Sequence, residues 1–350
     1  MPTLYLSERG TYVSLDGESL RLDVPEDKKT GRTKHVRRIP LNHVEQIVVI
    51  GDVTLSSGVI ENVLQRRICI HYLDGIGRSL GSIVPDSTRN ATLRLAQYRA
   101  FMSLPHRFQL ARSCIDGKLR NLRTQLQRAN RKRDEQPVDA AISDIHVARQ
   151  QLSRLQPPEH DDPTDRMHGV GAVFGVEGQG TAAYWRAFGA LLNPPWQWNG
   201  RVRRPPTDPI NAMLSYGYTI LIHQALSQIA IVGLDPYIGF LHRPGLGKPA
   251  LALDLVEEFR PLVVDSTVIT VINNGMVTER DFVDEGGSIR LTPDARRTFL
   301  QKLEERLNTD IEHPIFNYKA SYRRCIELQA RLLGKAVMGE IPHYPPFVTR

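Results

Sequence analysis

The chain has few cysteines, and what it lacks excludes several protein classes. Its 350 residues include only Cys69, Cys114 and Cys325, which lie far apart and form no CxxC pair. This spacing excludes a disulfide-stapled scaffold and a cysteine-based zinc site, and it favours a reducing compartment, so we expect a cytoplasmic protein. The first residues have neither a basic region nor a long apolar run, so no signal peptide is expected.

Long apolar runs and familiar catalytic motifs are also scarce. The most apolar stretch, TILIHQALSQIAIVGL, carries His223, Gln224 and Gln228, which predicts a buried helix rather than a membrane span. The first 85 residues contain no GxGxxG motif, P-loop or nucleophile elbow, and the chain has no HExxH. These absences disfavour a dinucleotide-binding enzyme, a P-loop phosphotransferase and a zinc protease.

Acidic residues are nearly missing from one segment. Between Arg89 and Arg133 the chain has twelve Lys or Arg residues and one acid, Asp116, although the net charge of the whole chain is +7. A solvated helix normally mixes both signs at i,i+4 positions, so this imbalance favours a polyanion-binding surface over an ordinary solvated face. Arg120 and Arg123, within this segment, are candidate DNA contacts.

The pattern of apolar residues changes once along the chain. Short, partly alternating segments separated by turns predict a small β-rich domain at 1–85, with a strand, a helix and a strand in 46–74. From residue 90 the apolar spacing becomes helical, which predicts a larger all-α domain at 86–350. The predicted fold class is therefore α+β.

Proline and capping residues predict where several helices begin. Asp208 before Pro209, and Thr292 before Pro293, combine an N-cap residue with a proline in the first helical turn. Further helices are expected to begin near Pro249 and near Ile311. The segment 156–165, QPPEHDDPTD, is a loop rich in Pro and acids, which is a poor scaffold for metal ligands.

Three carboxylates lie in the leucine-rich stretch LHRPGLGKPALALDLVEEFRP. A helix from Pro249 would place Asp254, Glu257 and Glu258 on one face, where like charges destabilise a helix unless a positive group compensates. Arg260 is one such group, and a divalent cation such as Mg²⁺ or Mn²⁺ is another, with His242 adding an imidazole. The alternative is an exposed acidic helix face beside a loop histidine.

Glu177 is the single acid of the stretch GVGAVFGVEGQGTAAYWRAFGALL. The predicted helix is apolar on most sides, so this carboxylate is expected to be buried, and it must then pair, protonate or bind a metal. Arg186 is one candidate partner. The other hypothesis is a metal ion shared by Glu177, His242 and an acid of 254–258, which would suit hydrolysis or phosphoryl transfer.

Four segments in order resemble one known family. VEGQGTAAYW, DPINAMLSYGYTIL, GFLHRP and LALDLVEEFRPLVVD resemble the CRISPR-associated integrase of the spacer-acquisition module, the Cas-one family. HVEQIVVIGDVTLSSGVI and RICIHYLDGIGRSLG are similar to its N-terminal domain, so the resemblance spans nearly the whole chain. It implies a β-sandwich-like N-terminal domain used for dimerisation, an all-α C-terminal domain, a homodimer and a partner called Cas-two.

The resemblance also implies a catalytic metal site for Mg²⁺ or Mn²⁺. Glu177 of VEG and His242 of FLHRP match the family's glutamate and histidine ligands, and the third acidic ligand falls in the DLVEE turn. We assign Glu257 to that position, with Asp254 as a supporting acid or further ligand, while Glu258 is turned about 100° away on a helix.

Candidate DNA contacts follow from the resemblance and from charge. The DPINAMLSYGYTIL segment places Asn211 and Tyr218 near the implied active site, although Asn211 could instead satisfy backbone groups and Tyr218 could pack in the core. Arg201, Arg203 and Arg204 form a basic loop before this segment, suited to phosphate contact.

The implied function is a metal-dependent DNA endonuclease and integrase. Such an enzyme inserts short foreign DNA into a CRISPR array by attack of a 3′-OH on a phosphodiester, with double-stranded and branched DNA as substrates. The alternative is a non-catalytic nucleic-acid-binding scaffold in which Glu177 pairs with an arginine. A metal nuclease acting on RNA is a third hypothesis, but no aromatic-rich strand supports sequence-specific RNA binding.

Overall fold

Two compact units, Met1–Arg89 and Asn90–Arg350, make up the chain. The computed structural model describes residues 3–28, 31–75, 77, 79–85, 90–131, 133–159, 169–203 and 205–349. The Arg204 prediction and most of the acidic part of the 156–165 loop lie outside the described residues. No helix in the described ranges is long and apolar enough to cross a membrane. All three cysteines are buried free thiols.

The N-terminal unit contains two four-stranded sheets around one core. Its strands are β1 (Thr3–Leu6), β2 (Thr11–Asp16), β3 (Ser19–Val24), β4 (His35–Pro40), β5 (Gln46–Ile50), β6 (Val53–Leu55), β7 (Cys69–Leu73) and β8 (Ser79–Ile83). The sheet orders are β1-β5-β7-β8 and β4-β3-β2-β6. Val13 and Leu20 of one sheet and Ile47 and Ile70 of the other share a core with Val59, in helix α1 (Ser57–Gln65). The β-rich, sandwich-like prediction is confirmed, including the strand-helix-strand β5-α1-β7.

The C-terminal unit is helical, as predicted, with two short hairpins added. Its helices are α2 (Ala91–Met102), α3 (Leu104–Asn130), α4 (Gln136–Arg154), α5 (Gly171–Phe188), α6 (Pro209–Val232), α7 (Ala250–Val256), α8 (Ser266–Asn273), α9 (Pro293–Leu307) and α10 (Tyr322–Val337). The hairpins pair β9 (Phe282–Asp284) with β10 (Ile289–Leu291), and β11 (Asp310–Glu312) with β12 (Lys319–Ser321). A π-helix, Pro261–Asp265, separates α7 from α8.

Two predicted caps are confirmed, and one predicted helix is wrong. The backbone N–H of Asn211 donates to the Asp208 side chain at 2.8 Å, and Thr292 caps α9 in the same way. No helix begins near Ile311, which lies in β11. Pro314 is incompatible with a helix interior there, and Asn317 takes a left-handed backbone (φ 52°) that turns the chain into β12.

Helix α3 carries most of the basic segment but is not a free basic surface. It packs against α4, α5, α7 and the π-helix, so much of its circumference is covered. Arg107 donates to the carbonyl of Phe101 at 2.5 Å, and Arg112 donates to that of Leu155 at 3.1 Å. These two arginines therefore satisfy carbonyl groups of the fold, and polyanion binding by the rest of the segment stays a prediction.

Arg120 and Arg123, on the same helix, are half-exposed. Asp116 forms ion pairs at 2.8 Å with both Arg120 and Arg149 of α4, so the single acid of the segment joins two helices. Exposed ion pairs of this kind contribute little stability, and they leave donors available to a phosphate. DNA contact by Arg120 and Arg123 stays a prediction.

Candidate active site

Glu177 lies on α5 and faces α3. Its carboxylate pairs with the ammonium of Lys118 and accepts a 2.8 Å hydrogen bond from the hydroxyl of Thr181, one turn along α5. The side chain is 18% exposed, so it is largely buried as predicted. Arg186, the arginine considered as its partner, pairs instead with Asp144 at 2.8 Å.

The acidic turn begins where α7 ends. Glu257 follows the last residue of α7, and its N–H bonds to the carbonyl of Asp254 at 3.2 Å, the i to i+3 pattern of a tight turn. Asp254 and Glu257 both lie against the His242 ring, whereas Glu258 bonds to Tyr344 and Phe347. The expectation that all three acids share one helical face is therefore wrong for Glu258, which lies beyond the end of α7.

Asp254 holds the loop that carries His242. One carboxylate oxygen accepts from the N–H groups of Phe240 and Leu241 at 2.5 and 2.9 Å. The other accepts from the N–H and from the ring Nδ1 of His242, both at 2.8 Å. A Cβ on Gly239 would lie 2.7 Å from this carboxylate, so only glycine allows the loop to approach so closely. Asp254 thus occupies the supporting position.

His242 is oriented towards Glu257. Because Nδ1 bonds to Asp254, the hydrogen-bond pattern assigns Nδ1 as the protonated nitrogen and leaves Nε2 with a lone pair, 4.0 Å from Oε1 of Glu257. Phe174 of α5 packs edge-to-face on the imidazole, with ring centroids 5.7 Å apart. A carboxylate behind a histidine is the usual second partner of a metal-binding imidazole.

Glu257 is buried and lies between two positive side chains. Its side chain is 5% exposed, with Arg260 at 3.3 Å and the Lys118 ammonium at 2.8 Å. Burial by itself raises the pKa of Glu257, but Arg260, Lys118 and His242 together lower it to about 2. Burial likewise lowers the pKa of Lys118, and Glu257 and Glu177 raise it above its usual value. The centre therefore consists of charged groups.

Glu258 points to the opposite side of the turn. It accepts from the Tyr344 hydroxyl at 2.9 Å, from the Phe347 N–H at 2.7 Å and from Gln329 at 3.3 Å. Burial raises the pKa of Glu258 to about 8, despite these donors. The structure places Glu257, and not Glu258, beside Glu177 and His242.

The predicted ligands offer the donor atoms that a divalent ion needs, although in this structure they are too far apart to bind one together. Among the described residues, no three His, Cys, Asp or Glu side chains are close enough together to hold a metal. Glu177, Glu257 and the Nε2 atom of His242 nevertheless supply two carboxylates and one imidazole around a buried position, a donor set suited to Mg²⁺ or Mn²⁺. The ammonium of Lys118 joins the two carboxylates.

A second polar cluster adjoins the first. Asp265, in the π-helix, accepts from the hydroxyls of Tyr184 at 3.0 Å and Tyr218 at 2.5 Å. The guanidinium groups of Arg260 and Arg201 lie over the Tyr218 ring, 4.9 and 5.6 Å from its centroid. Arg260 thus belongs to both clusters. Sequence reasoning missed Lys118, Tyr184 and Asp265, and the only signals were the single lysine of α3 among its arginines and the acid that follows LVV.

The predicted DNA contacts differ in burial. Asn211 is fully buried, donates to the carbonyl of Gly200 at 2.9 Å and accepts from Arg201 at 2.7 Å, so it satisfies loop groups. Arg201 is part-buried, and its other donor contacts Ser215 at 3.1 Å. Arg203 is exposed and available to a phosphate. Contact with DNA by this loop stays a prediction.

We expect the stability of the protein to depend on Asp265 below neutral pH. Burial raises the pKa of Asp265 to about 6, against the donor groups of Tyr218 and Tyr184 and the charges of Arg201 and Arg260. The folded state therefore keeps a proton that the unfolded state has lost, and stability falls by up to about 3 kcal/mol as pH rises from about 4 to about 6. Asp265→Asn should remove the part of this slope that Asp265 contributes and leave the part due to Glu258, whose pKa is also raised; urea unfolding of both proteins across pH 4–7 measures the difference. An unchanged slope in the variant would contradict the assignment.

Alanine substitutions at two glycines on different sides of α5 should change the free energy of unfolding in opposite directions. A Cβ on Gly175 meets nothing within 4 Å, whereas a Cβ on Gly180 would lie 2.3 Å from Leu119 of α3. Gly175→Ala should raise the free energy of unfolding by about 0.5–1 kcal/mol, and Gly180→Ala should lower it by about 1–3 kcal/mol. Chemical denaturation of the two variants tests the packing of α3 against α5. Equal effects would mean that these helices are not packed as described.

A family model and a relative of known sequence both match this chain and name the same family. A family described as "CRISPR associated protein Cas1" matches residues 4–305. A "CRISPR-associated endonuclease Cas1 3" from Thermus thermophilus is 35% identical over 99% of this chain and 97% of its own length.

Solved structures share the fold. A "Casposase bound to integration product" superposes with a TM-score of 0.83 at 24% identity, covering 99% of this chain and 93% of that chain. A chain of a "Cas6-RT-Cas1--Cas2 complex" superposes with a TM-score of 0.77 at 23% identity, covering 99% of this chain and 36% of that chain.

Proposed function

Since this chain belongs to the Cas1 family of CRISPR-associated endonucleases, we propose that it is a metal-dependent DNA integrase and endonuclease that inserts short foreign DNA into a CRISPR array. The observation that carries the proposal is the Asp254–His242 pair, which aims Nε2 at Glu257 on the face shared with Glu177. A fold that only held DNA would not require an oriented imidazole beside two largely buried carboxylates.

In the proposed reaction, the 3′-OH of the incoming strand attacks a phosphodiester of the repeat: a new P–O bond forms, the P–O bond to the repeat's own 3′-oxygen breaks, and the proton of the attacking hydroxyl passes through solvent to that leaving oxygen. Glu177, His242 and Glu257 would bind Mg²⁺ or Mn²⁺, which activates the hydroxyl and stabilises charge on the phosphoryl oxygens when bound. Asp254 fixes the imidazole ring. Arg260, beside Glu257, supplies a fixed positive charge near the developing negative charge. With water as nucleophile, the same groups would give endonuclease activity.

The partners are proposed from the relatives. Solved structures of similar fold include a complex named with Cas2 and a casposase bound to its integration product. We therefore propose double-stranded and branched DNA as substrates, Cas2 as a partner, dimerisation through the N-terminal unit, and the cytoplasm as the place of action. Arg201, Arg203, Arg120 and Arg123 are the proposed phosphate contacts.

A non-catalytic DNA scaffold is the second candidate. The ion pair between Glu177 and Lys118 favours it, because a paired glutamate needs no metal. The paired residue is a lysine rather than the arginine expected for that alternative. The two candidates differ in whether Mn²⁺ changes the protein and its activity.

The experiment is strand transfer on branched DNA that contains the repeat, with Mn²⁺ and with EDTA. The proteins are the wild type and Glu177→Gln, each with the Cas2 partner. We expect joined product only from the wild type with Mn²⁺. Equal product from both proteins would exclude this site, and tight DNA binding without product in either would favour the scaffold.

A further inference from the structure

The ammonium of Lys118 lies between the two carboxylates of the candidate site. The side chain is 7% exposed and projects from α3, which packs against α5, α7 and the π-helix. It pairs with Oε1 of Glu177 and lies 2.8 Å from Oε2 of Glu257. One positive charge therefore joins acids from two segments that are far apart in the sequence. Without it, the two like-charged carboxylates would repel each other.

The same two carboxylates are the oxygen donors that a divalent ion requires. An ammonium and a divalent ion both carry positive charge, so they compete for one position between Glu177 and Glu257. The arrangement of the described residues, in which three ligand side chains do not converge, is the one expected while the lysine holds the acids. We infer that Lys118 is a built-in cation that holds the metal position of this site until Mn²⁺ or Mg²⁺ displaces it. This inference rests on the proposed function and adds how the site is loaded.

Three consequences follow from this exchange of cations. The acids stay assembled when no metal is bound, because Lys118 and Arg260 balance their charge. Metal binding is weaker than the acids alone would give, because an existing ion pair must break first. After the exchange, the ammonium is released from the carboxylates and becomes accessible.

The first test compares Mn²⁺ affinity between the wild type and Lys118→Met, by calorimetric titration without DNA. Methionine keeps the length and the apolar stem and removes the charge. Lys302→Met, at a surface pair with Glu305, is the matched control for loss of a lysine. We expect Lys118→Met to bind Mn²⁺ at least about tenfold more tightly, and Lys302→Met to match the wild type. Wild-type binding with no gain in Lys118→Met would overturn the inference alone. Absence of Mn²⁺ binding in every protein would overturn the proposed function with it.

The second test uses the wild type, so it does not depend on whether a variant folds. Acetylation of each lysine is measured by peptide mass spectrometry with EDTA and with Mn²⁺, and the exposed Lys319 serves as the internal reference. We expect labelling of Lys118 to rise several-fold in Mn²⁺ relative to Lys319. Unchanged labelling, while Mn²⁺ binds, would show that the ammonium stays with the carboxylates and would overturn the inference.

Discussion

Glu257→Gln is expected to lower Mn²⁺-dependent strand transfer by about 10³-fold. Glutamine keeps the shape of the side chain but removes the charge that balances Arg260 and Lys118 and that would bind the metal. Because one partner of a buried ion-pair network is removed, we also expect a loss of about 3 kcal/mol in the free energy of unfolding. Single-turnover assays below the unfolding temperature separate the two effects.

Glu258→Gln is the matched control for that variant. The same substitution is made one residue away, on a side chain that contacts Tyr344 and Phe347 and faces away from His242. Strand transfer close to that of the wild type is expected, because glutamine can still accept the Phe347 hydrogen bond. Loss of activity in Glu258→Gln with activity retained in Glu257→Gln would reassign the third acidic ligand.

Asp254→Asn is expected to lower both Mn²⁺ affinity and strand transfer by about 10–100-fold. The carboxylate accepts four hydrogen bonds from the loop of His242. In asparagine an NH₂ group replaces one oxygen, and it cannot accept the hydrogen bonds that these N–H groups donate. The imidazole would lose its fixed orientation, and the free energy of unfolding would fall by about 1–3 kcal/mol.

A readout that separates orientation from folding is the Mn²⁺ profile of strand transfer. Without the Asp254 partner the His242 ring is no longer held towards Glu257, so the Mn²⁺ concentration for half-maximal transfer should rise in Asp254→Asn. A variant that is only less stable would show the wild-type profile with lower amplitude. That outcome would remove Asp254 from the site and leave it only as a support of the loop.

Local patterns predicted the fold well. Helix starts at Pro209 and Pro293 depend on neighbouring capping residues, and these interactions are formed within one turn. The strand-helix-strand of β5, α1 and β7 also follows from local periodicity. The hairpin that contains Ile311 is not predicted, because the apolar spacing there also fits a helix, although Pro314 disfavours one.

Motifs predicted which acids and which histidine belong to the candidate site, but not the lysine that balances their charge. Glu177, His242 and Glu257 were identified from motifs, whereas Lys118 is brought to them by the packing of α3 against α5. No local pattern reports a contact between residues so far apart in the sequence. The directions of Asp254 and Glu258 were also unpredictable, because they depend on where α7 ends and on which segments cover the turn.

The number of residues in the π-helix sets how the two polar clusters are oriented relative to each other. A π-helical turn holds an extra residue, and Pro261 at its start lacks the N–H that a regular helix would use. Deleting one residue from 261–265 would let a regular helix close, and it would rotate the preceding turn by about 100° relative to α8. Glu257 and Asp265 would then face different sides, with Arg260 unable to serve both. Loops usually tolerate insertions and deletions, but a single-codon deletion here should inactivate the protein even if every named side chain were retained.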